Sequence, residues 1–433
     1  MTRPNVLFIM TDQQSRHMMS CAGNPHLDTP AMDSLAREGI RFEKAYCCNP
    51  VCTPSRVGMV TGVMSCRLNA DNNGICEDRL DLPQEVLDGA IGNVMQGAGY
   101  DTFYGGKTHL FTPLEPLNAG FNECFNDERE ALPAACVEFI QREREQPFFA
   151  VASFINPHDI CFAHQAKNGI NTHDVLKLRE AALKLPVDEL PPLPDNYAIT
   201  QNEPGTIEAH LNPKAITPAI TMRKEYDDYE WRINRWIYHR LTEQVDTLIG
   251  QILDGLKESG HASDTLIIFT SDHGNMDASH QLSSKGVPFE ESVGVPFIMK
   301  FPGAISAGQT EGEHLVNAGI DILPTLCDYA GVEKPAHFLG RSLRSVAEEG
   351  DRTDAPPYIV SENHWFRMLR GERFKYCCFA TGDEELLIDL ESDPGELVNL
   401  AACPEHQAAL NEHRKLMSEW MELSDDDKGK AFL

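Results

Sequence analysis

The chain reads as an α/β protein: a large, mostly parallel central sheet flanked by helices, with a smaller antiparallel subdomain and a terminal helix at its C-terminal end. Three observations predict this. Short, continuously apolar runs (NVLFIM at 5–10, PFFAVASFI at 147–155, TLIIFT at 265–270, VPFIMKF at 295–301) alternate with helical patterns. Strands buried on both faces look like this, because neither face needs polar side chains, and their alternation with helices points to parallel pairing. Several runs stop at polar residues: Asp12-Gln13, Asn156-Pro157-His158 and Ser271-Asp272-His273-Gly274. After about residue 340 the texture changes to RFKYCCF and ELLIDL, joined by ATGDE, the pattern of two strands and a turn.

Taken in order, NVLFIM is the first strand, and NPVCTPSRVGMVTG (49–62) contains a helix start at Cys52. Asn72-Asn73-Gly74 reads as a turn. Residues 160–225 lack strong periodicity and are expected to form an insertion over one face of the sheet. Within them, LPVDELPPLPDN (185–196) is too rich in proline for a helix or a sheet interior and should be an extended loop. Ile237, Leu241, Val245, Leu248, Ile252 and Leu256 recur at steps of three and four, one face of a helix closing at Gly260. Beyond ELLIDL come the turn SDPGE, a helix over 405–422 and an acidic tail, SDDDKGK, expected to be solvated. Residues 1–340 form the main domain on this reading, and 341–433 an α+β subdomain.

At 433 residues the chain exceeds what one hydrophobic core serves well, so a main domain with a satellite is the default. A formal net charge of −29 argues against nucleic acid and anionic membranes as partners, since phosphate backbones need a basic footprint. It leaves a small anionic substrate open, held by local lysines, arginines and a metal. No run approaches the roughly 20 apolar residues of a membrane span. The first apolar stretch is too short for a signal peptide, which predicts a cytoplasmic protein, or a periplasmic one if a leader was removed. The 13 cysteines are odd in number, form no zinc-like spacing, and are expected to be free thiols.

In open α/β sheets, ligands gather at the carboxyl ends of the strands. Three such ends carrying acids and histidines suggest one crevice. Beside it stands Cys52, within Cys52-Thr53-Pro54-Ser55-Arg56 and followed by MVTG. This segment resembles the C-x-P-S-R signature of the type I sulfatases, in the alkaline phosphatase superfamily. The resemblance continues in order through PNVLFIMTDQ, TPAMDSLAREGIRFEKAY, GGKTHL, NPHD, TLIIFTSDHG, SKGVPFEES and LLIDLESDPGELVNL, nearly the whole chain apart from 160–225.

The resemblance implies an alkaline-phosphatase-like fold and a sulfuric ester hydrolase that releases inorganic sulfate, with a carbohydrate as the substrate class. It implies that a separate maturation enzyme oxidises Cys52 to formylglycine (3-oxoalanine), whose hydrate is the nucleophile. A sulfate ester is a stable anion, so attack requires charge neutralisation from several sides. Asp12, Gln13, Asp272, His273 and an oxygen of the modified Cys52 are the implied ligands of a divalent cation. Gln13 stands where many relatives carry Asp, and His273 where many carry Asn. Ca2+ is the first choice; Mg2+ or Mn2+ follow, because imidazole suits Ca2+ poorly.

By the same resemblance Lys107 and Lys285 hold sulfate oxygens and Arg56 fixes the formylglycine. His109 takes the proton whose removal expels sulfate, and His158, with Lys285, faces the leaving-group oxygen. Lys107 and His109 are two residues apart, so an extended segment would point both the same way. His280, five residues before Lys285, reads equally as a substrate contact or a structural residue. His364, with Trp365 and Arg367, is a candidate substrate subsite. A second reading is a phosphonate monoester or phosphodiester hydrolase, whose family members use the same formylglycine. A third is a non-catalytic, sulfoglycan-binding member of the fold. If the enzyme is cytoplasmic, an imported mono- or oligosaccharide suits it better than a polymer.

Overall fold

The computed structural model describes residues 3–74, 79–211 and 219–433. Its strands in chain order are β1 (Asn5–Asp12), β2 (Ile40–Phe42), β3 (Ala45–Tyr46), β4 (Asp101–Gly106), β5 (Glu123–Phe125), β6 (Phe148–Pro157), β7 (Thr265–Ser271), β8 (Phe297–Lys300), β9 (Gln309–Glu311), β10 (Val316–Asn317), β11 (Tyr358–Asn363), β12 (Phe366–Gly371), β13 (Phe374–Phe379) and β14 (Glu385–Asp389). Among the described residues the central sheet runs β5-β4-β6-β1-β7-β8-β2-β9, β3 and β10 pair alone, and β11 to β14 form a consecutive antiparallel sheet. The central strands β5, β4, β6, β1 and β7 are mutually parallel. VPFIMKF departs from expectation: β8 is antiparallel to both β7 and β2. Its composition could not reveal this, because a strand covered on both faces is apolar in either direction.

The period of two within NVLFIM divides its side chains between two cores. Val6, Phe8 and Met10 pack on one side with Tyr104, Val151 and Ile268. Leu7 and Ile9 pack on the other with Phe103, Ala150, Phe269 and the helices Leu132–Ile140 and Asp228–Glu258. The latter helix is longer than its periodic core of 237–256; Asp227 starts it by accepting a hydrogen bond from Glu230 N, and Gly260 (φ 82°) follows its end.

Residues 160–225 hold more regular structure than their sequence suggested, with short helices at Ala163–Lys167, Val175–Ala182, Gly205–His210 and Ala219–Glu225. They bury Ala163, Val175, Ala182 and Leu190 against Ile233, Ile237 and Leu241. Tertiary packing, not local periodicity, makes these helices. The 185–196 stretch is a loop apart from a single turn at Val187–Glu189.

In the C-terminal sheet, Leu369, Tyr376, Cys378 and Leu387 meet Leu410, Met417 and Met421 of the helix Gln407–Leu423. The opposite face, including Met368, Cys377, Leu386 and Ile388, merges with the main core. The tail is not simply solvated: Asp426 is 3% exposed and pairs with Arg367, which is itself fully buried. Two charges leaving water together explain why an acidic run folds back here.

The helix Cys52–Thr61 is buried along its whole length and ends at Gly62 in left-handed backbone (φ 68°). Gly58 lets it pack closely: a Cβ there would lie 2.5 Å from Cys48 Sγ and 3.3 Å from the Gly319 carbonyl. Gly58→Ala is therefore expected to destabilise the protein by about 1–3 kcal/mol, read as a lower urea midpoint at unchanged slope.

Candidate active site

Four adjacent parallel strands, β4, β6, β1 and β7, end on the same edge of the sheet. Lys107, His158, Asp12 and Asp272 stand at or just beyond those ends. Cys52 arrives from outside the sheet as the first residue of its helix, where the preceding Val51 supplies no side-chain cap. Thr53 N already donates to Asn73 Oδ1 and Pro54 has no N–H, so the terminus favours an anion chiefly through its aligned peptide dipoles.

The thiol sits in a dense shell. Lys285 Nζ is 2.9 Å from Cys52 Sγ, His273 Nε2 is 3.2 Å away, and Asp12 Oδ1 is 3.8 Å away. Arg56 lies one helical turn on from Cys52 and is 1% exposed. Its Nε donates to Asp272 Oδ2 at 2.8 Å and its Nη2 to Asp12 Oδ2 at 3.0 Å, bridging the two carboxylates. Its Nη1 donates to the Lys107 carbonyl and to Ser153 Oγ, each at 2.8 Å. Lys107 Nζ then donates to Asp12 Oδ2 at 2.6 Å.

Burial works against the charge on both aspartates, but their surroundings separate them. Asp12 is nevertheless held well below the usual carboxylate range by Lys107, His158, Lys285 and Arg56. Asp272 is pushed up by burial and by the neighbouring Asp12 charge. Burial and Asp12 also oppose a thiolate at Cys52; Lys285, Lys107 and His273 outweigh them and hold the thiol well below its ordinary value.

One ligand atom each from Asp12, Cys52, Asp272 and His273 lies within 4.8 Å of the others, all four residues buried. Two carboxylate oxygens and an imidazole are a donor set for a divalent cation, and the two acids give it charge to neutralise. Gln13 joins from the side: its backbone N donates to Asp272 Oδ1 at 3.1 Å, and its Oε1 accepts from Lys285 Nζ at 2.8 Å.

His158 is half-buried and close enough to Asp12 to help hold that carboxylate ionised. The arrangement at GGKTHL differs from the expected extended segment. His109 has φ 48°, so alternation fails: Lys107 is buried while the His109 ring is exposed. His280 is fully buried. Its Nδ1 lies 3.0 Å from Thr200 Oγ1 and its ring stacks on Phe289 at 4.0 Å, so it presents no surface to a ligand.

His364 is exposed outside the Cys52 shell, with its ring 4.8 Å from that of His210, which stacks at 4.2 Å on Trp365. Trp365 and Arg367 are buried and belong to the interior rather than to an open subsite. Burial cannot be read from a lone aromatic or cation in a strand, because both occur on either face.

Several supporting residues escaped the sequence. Tyr238 donates to the Gln13 carbonyl at 2.6 Å, Ser55 Oγ to the Asp272 carbonyl at 2.5 Å, and Tyr104 to the Lys107 carbonyl at 2.7 Å. Cys161 Sγ lies 3.2 Å from Gln13 Oε1. The turn at 72–74 forms as expected, with Gly74 N donating to Asn72 Oδ1 at 2.7 Å. It does more: Asn73 Oδ1 accepts from Thr53 N at 3.0 Å, at the start of the Cys52 helix. Only Ser55 lay inside a recognised motif; the rest meet the site solely through the fold.

Lysines, an arginine and a candidate cation site around one thiol suit an ester that carries its own negative charge, and the fold and site together point to an α/β hydrolase of such esters. Comparison with known proteins narrows the class. Residues 4–332 match the Sulfatase family, and residues 278–423 match the family described as N-sulphoglucosamine sulphohydrolase, C-terminal. A Delta 4,5-hexuronate-2-O-sulfatase of Bacteroides thetaiotaomicron is 29% identical, covering 98% of this chain and 90% of its own. A solved 2-O GAG sulfatase superposes with a TM-score of 0.86 at 27% identity, over 98% of this chain and 93% of that one. The phosphonate monoester hydrolase of Agrobacterium radiobacter shares the fold, with a TM-score of 0.76 at 23% identity, over 98% of this chain and 96% of its own. The chain belongs to the sulfatase family. It is a sulfuric ester hydrolase.

Proposed function

We propose that the protein releases inorganic sulfate from a sulfated carbohydrate, using a formylglycine made from Cys52 and a divalent cation held by Asp12, Gln13, Asp272 and His273. The observation that carries this is the position of Cys52: first residue of a buried helix, 2.9 Å from Lys285 Nζ and 3.2 Å from His273 Nε2. Its Sγ stands in for the hydrated aldehyde oxygen of the mature enzyme. When bound, the cation, with Ca2+ first and Mg2+ or Mn2+ as alternatives, neutralises sulfate oxygens and lowers the proton affinity of that oxygen.

Each surrounding group then has a task. Arg56 favours the ionised forms of Asp12 and Asp272 and fixes both beside the nucleophile. Lys107 and Lys285 hold the sulfate oxygens, and on substrate binding they would exchange their present contacts with Asp12 and Cys52 for the ester. His158 and Lys285 serve the leaving oxygen, which must gain a proton as the alcohol departs. His109, exposed in its turn, takes the proton whose removal lets sulfate leave. The carbohydrate class is supported by the activities named for the hexuronate 2-O-sulfatase and the GAG sulfatase; a mono- or oligosaccharide is the form proposed.

A maturation enzyme that converts Cys52 is part of the proposal. The tryptic peptide containing Cys52, taken from protein co-produced with such an enzyme, should be lighter than the unmodified peptide by ~18 Da, the loss that accompanies oxidation of a thiol to an aldehyde with release of sulfur. Matured protein should turn over an aryl sulfate faster than the matching aryl phosphonate; the reverse order would favour the phosphonate hydrolase reading. We further propose a cytoplasmic location. Recovery of native protein from the periplasm or medium would overturn that placement.

A further inference from the structure

A second basic cavity lies beside the joint between the central sheet and the C-terminal sheet. It has a volume of about 300 Å³ and is lined by Arg16, Arg41, Lys44 and Arg370, with Glu43 the one acid and Tyr46 at its wall. Four cations against one carboxylate is the opposite of the chain's overall balance, a net charge of −29.

The cations are not all neutralised by the protein. Arg16 is committed to Glu290 at 2.5 Å, and Arg41 to Glu43 at 2.9 Å. Glu43 is half exposed, so that pairing is screened by water and easily exchanged. Among the described residues neither Lys44 nor Arg370 has a carboxylate within ion-pair distance. Arg370 is only 6% exposed; its Nε donates to Tyr46 Oη at 3.0 Å and its Nη1 to the carbonyls of Gly371 and Glu372. Its Nη2 has no protein partner among those residues. Glu290, the acid nearest in this network, already serves Arg16 and Lys375. Arg370 thus shares the Glu290 charge with Arg16 and Lys375 and has no carboxylate of its own. A nearly buried guanidinium with a free edge and only that shared counter-charge invites an anion, because desolvating a cation is costly.

We propose that this cavity is a second anion site that takes a small oxyanion group, a sulfate or a carboxylate, independent of the Cys52 centre. The guanidinium edge of Arg370 and the Lys44 ammonium would bind its oxygens through charge-assisted hydrogen bonds, with Arg41 turning from Glu43 to join them. The volume is at the lower end of small-ligand pockets, enough for the anionic group with part of the molecule that carries it. Two sources offer that chemistry: free inorganic sulfate, or an acidic group on a saccharide whose scissile ester occupies the first site.

The test uses selenate, the isostere of sulfate with a strong anomalous signal, soaked into crystals of the full chain, with inorganic sulfate titrated calorimetrically in solution. Wild-type protein should show a selenate peak beside Lys44 and Arg370 and a sulfate equivalent beyond that at Cys52. The double variant Arg41→Gln/Lys44→Gln, whose side chains are half-buried and outside the Cys52 shell, should lose that peak and bind the extra sulfate at least about tenfold more weakly, the loss of about 1.4 kcal/mol. Its turnover of a small aryl sulfate should be unchanged.

With a multiply sulfated oligosaccharide, a rise of about tenfold in KM for the variant identifies the saccharide as the source; an unchanged KM identifies free sulfate. Selenate confined to Cys52, or a variant that binds as wild type does, overturns the proposal. Occupancy is read without turnover, so failure to hydrolyse sulfate esters would sink the catalytic reading and leave this one standing.

Discussion

Cys52→Ala is expected to lower kcat/KM for sulfate-ester hydrolysis by at least about 10⁴-fold while the protein remains folded. The magnitude follows from removing the proposed nucleophile: what survives in such variants is the rate support given by binding and electrostatics alone. Here that residual rate would come from Lys107 and the candidate cation site at the sheet edge, and from Lys285 on its braced loop. Circular dichroism and the urea midpoint report the fold, and metal content reports the cluster. A variant that kept a tenth of wild-type kcat would remove position 52 from the chemistry.

Arg56→Met should have the largest effect on stability, about 3–5 kcal/mol by chemical denaturation of the metal-free protein. Methionine fills much of the volume, yet leaves Asp12 and Asp272 buried at 0% exposure without the guanidinium that bridges them. The pH dependence gives an independent reading. Burial alone would raise Asp12, but Lys107, His158, Lys285 and Arg56 hold its folded-state pKa below its unfolded value. Its contribution is therefore present above the unfolded pKa and is lost as pH falls through the folded one. Without Arg56 the folded value rises, so acid unfolding should begin at a higher pH. An acid transition at the wild-type pH would show that the lysines alone suffice. The same variant should lose activity, because both aspartates would be free to protonate or rotate away from the cation site.

The sequence carried the catalytic edge further than the rest of the fold, for a physical reason. Asp12, Asp272 and Cys52 sit where strong local signals coincide, an apolar strand ending in a polar residue or a helix beginning, so their neighbourhood could be argued from one dimension. Lys107 and His109 show the limit. Spacing implied a common direction, and a single left-handed residue broke it; such a conformation at a histidine has no sequence mark. The short helices within 160–225 were missed because their stability comes from distant partners: Ile233, Ile237 and Leu241 for the first two, the main core for Ile207, Ala219 and Ile220 of the last two. Asp426 read as part of a solvated tail and Arg367 as part of a substrate subsite; 59 positions apart, they are buried as a pair. Strand direction at 297–300 was equally invisible, since it depends on partners and not on composition.

Lys375 is fully buried and reaches Glu290 at 2.7 Å, Glu396 at 2.6 Å and the Pro288 carbonyl at 3.1 Å, while Glu396 accepts from Glu290 N at 2.6 Å. These contacts clamp the segment that begins at Lys285, and they come from the last quarter of the polypeptide. A shortened version ending near residue 340 would thus keep every proposed reactive side chain yet lose the Lys375 and Glu396 contacts to the loop that follows Lys285, leaving it held by Arg16 and Tyr46 on Glu290. The C-terminal portion is in this sense a brace for the reaction centre, and engineers who graft or trim it should expect to retune catalysis along with solubility.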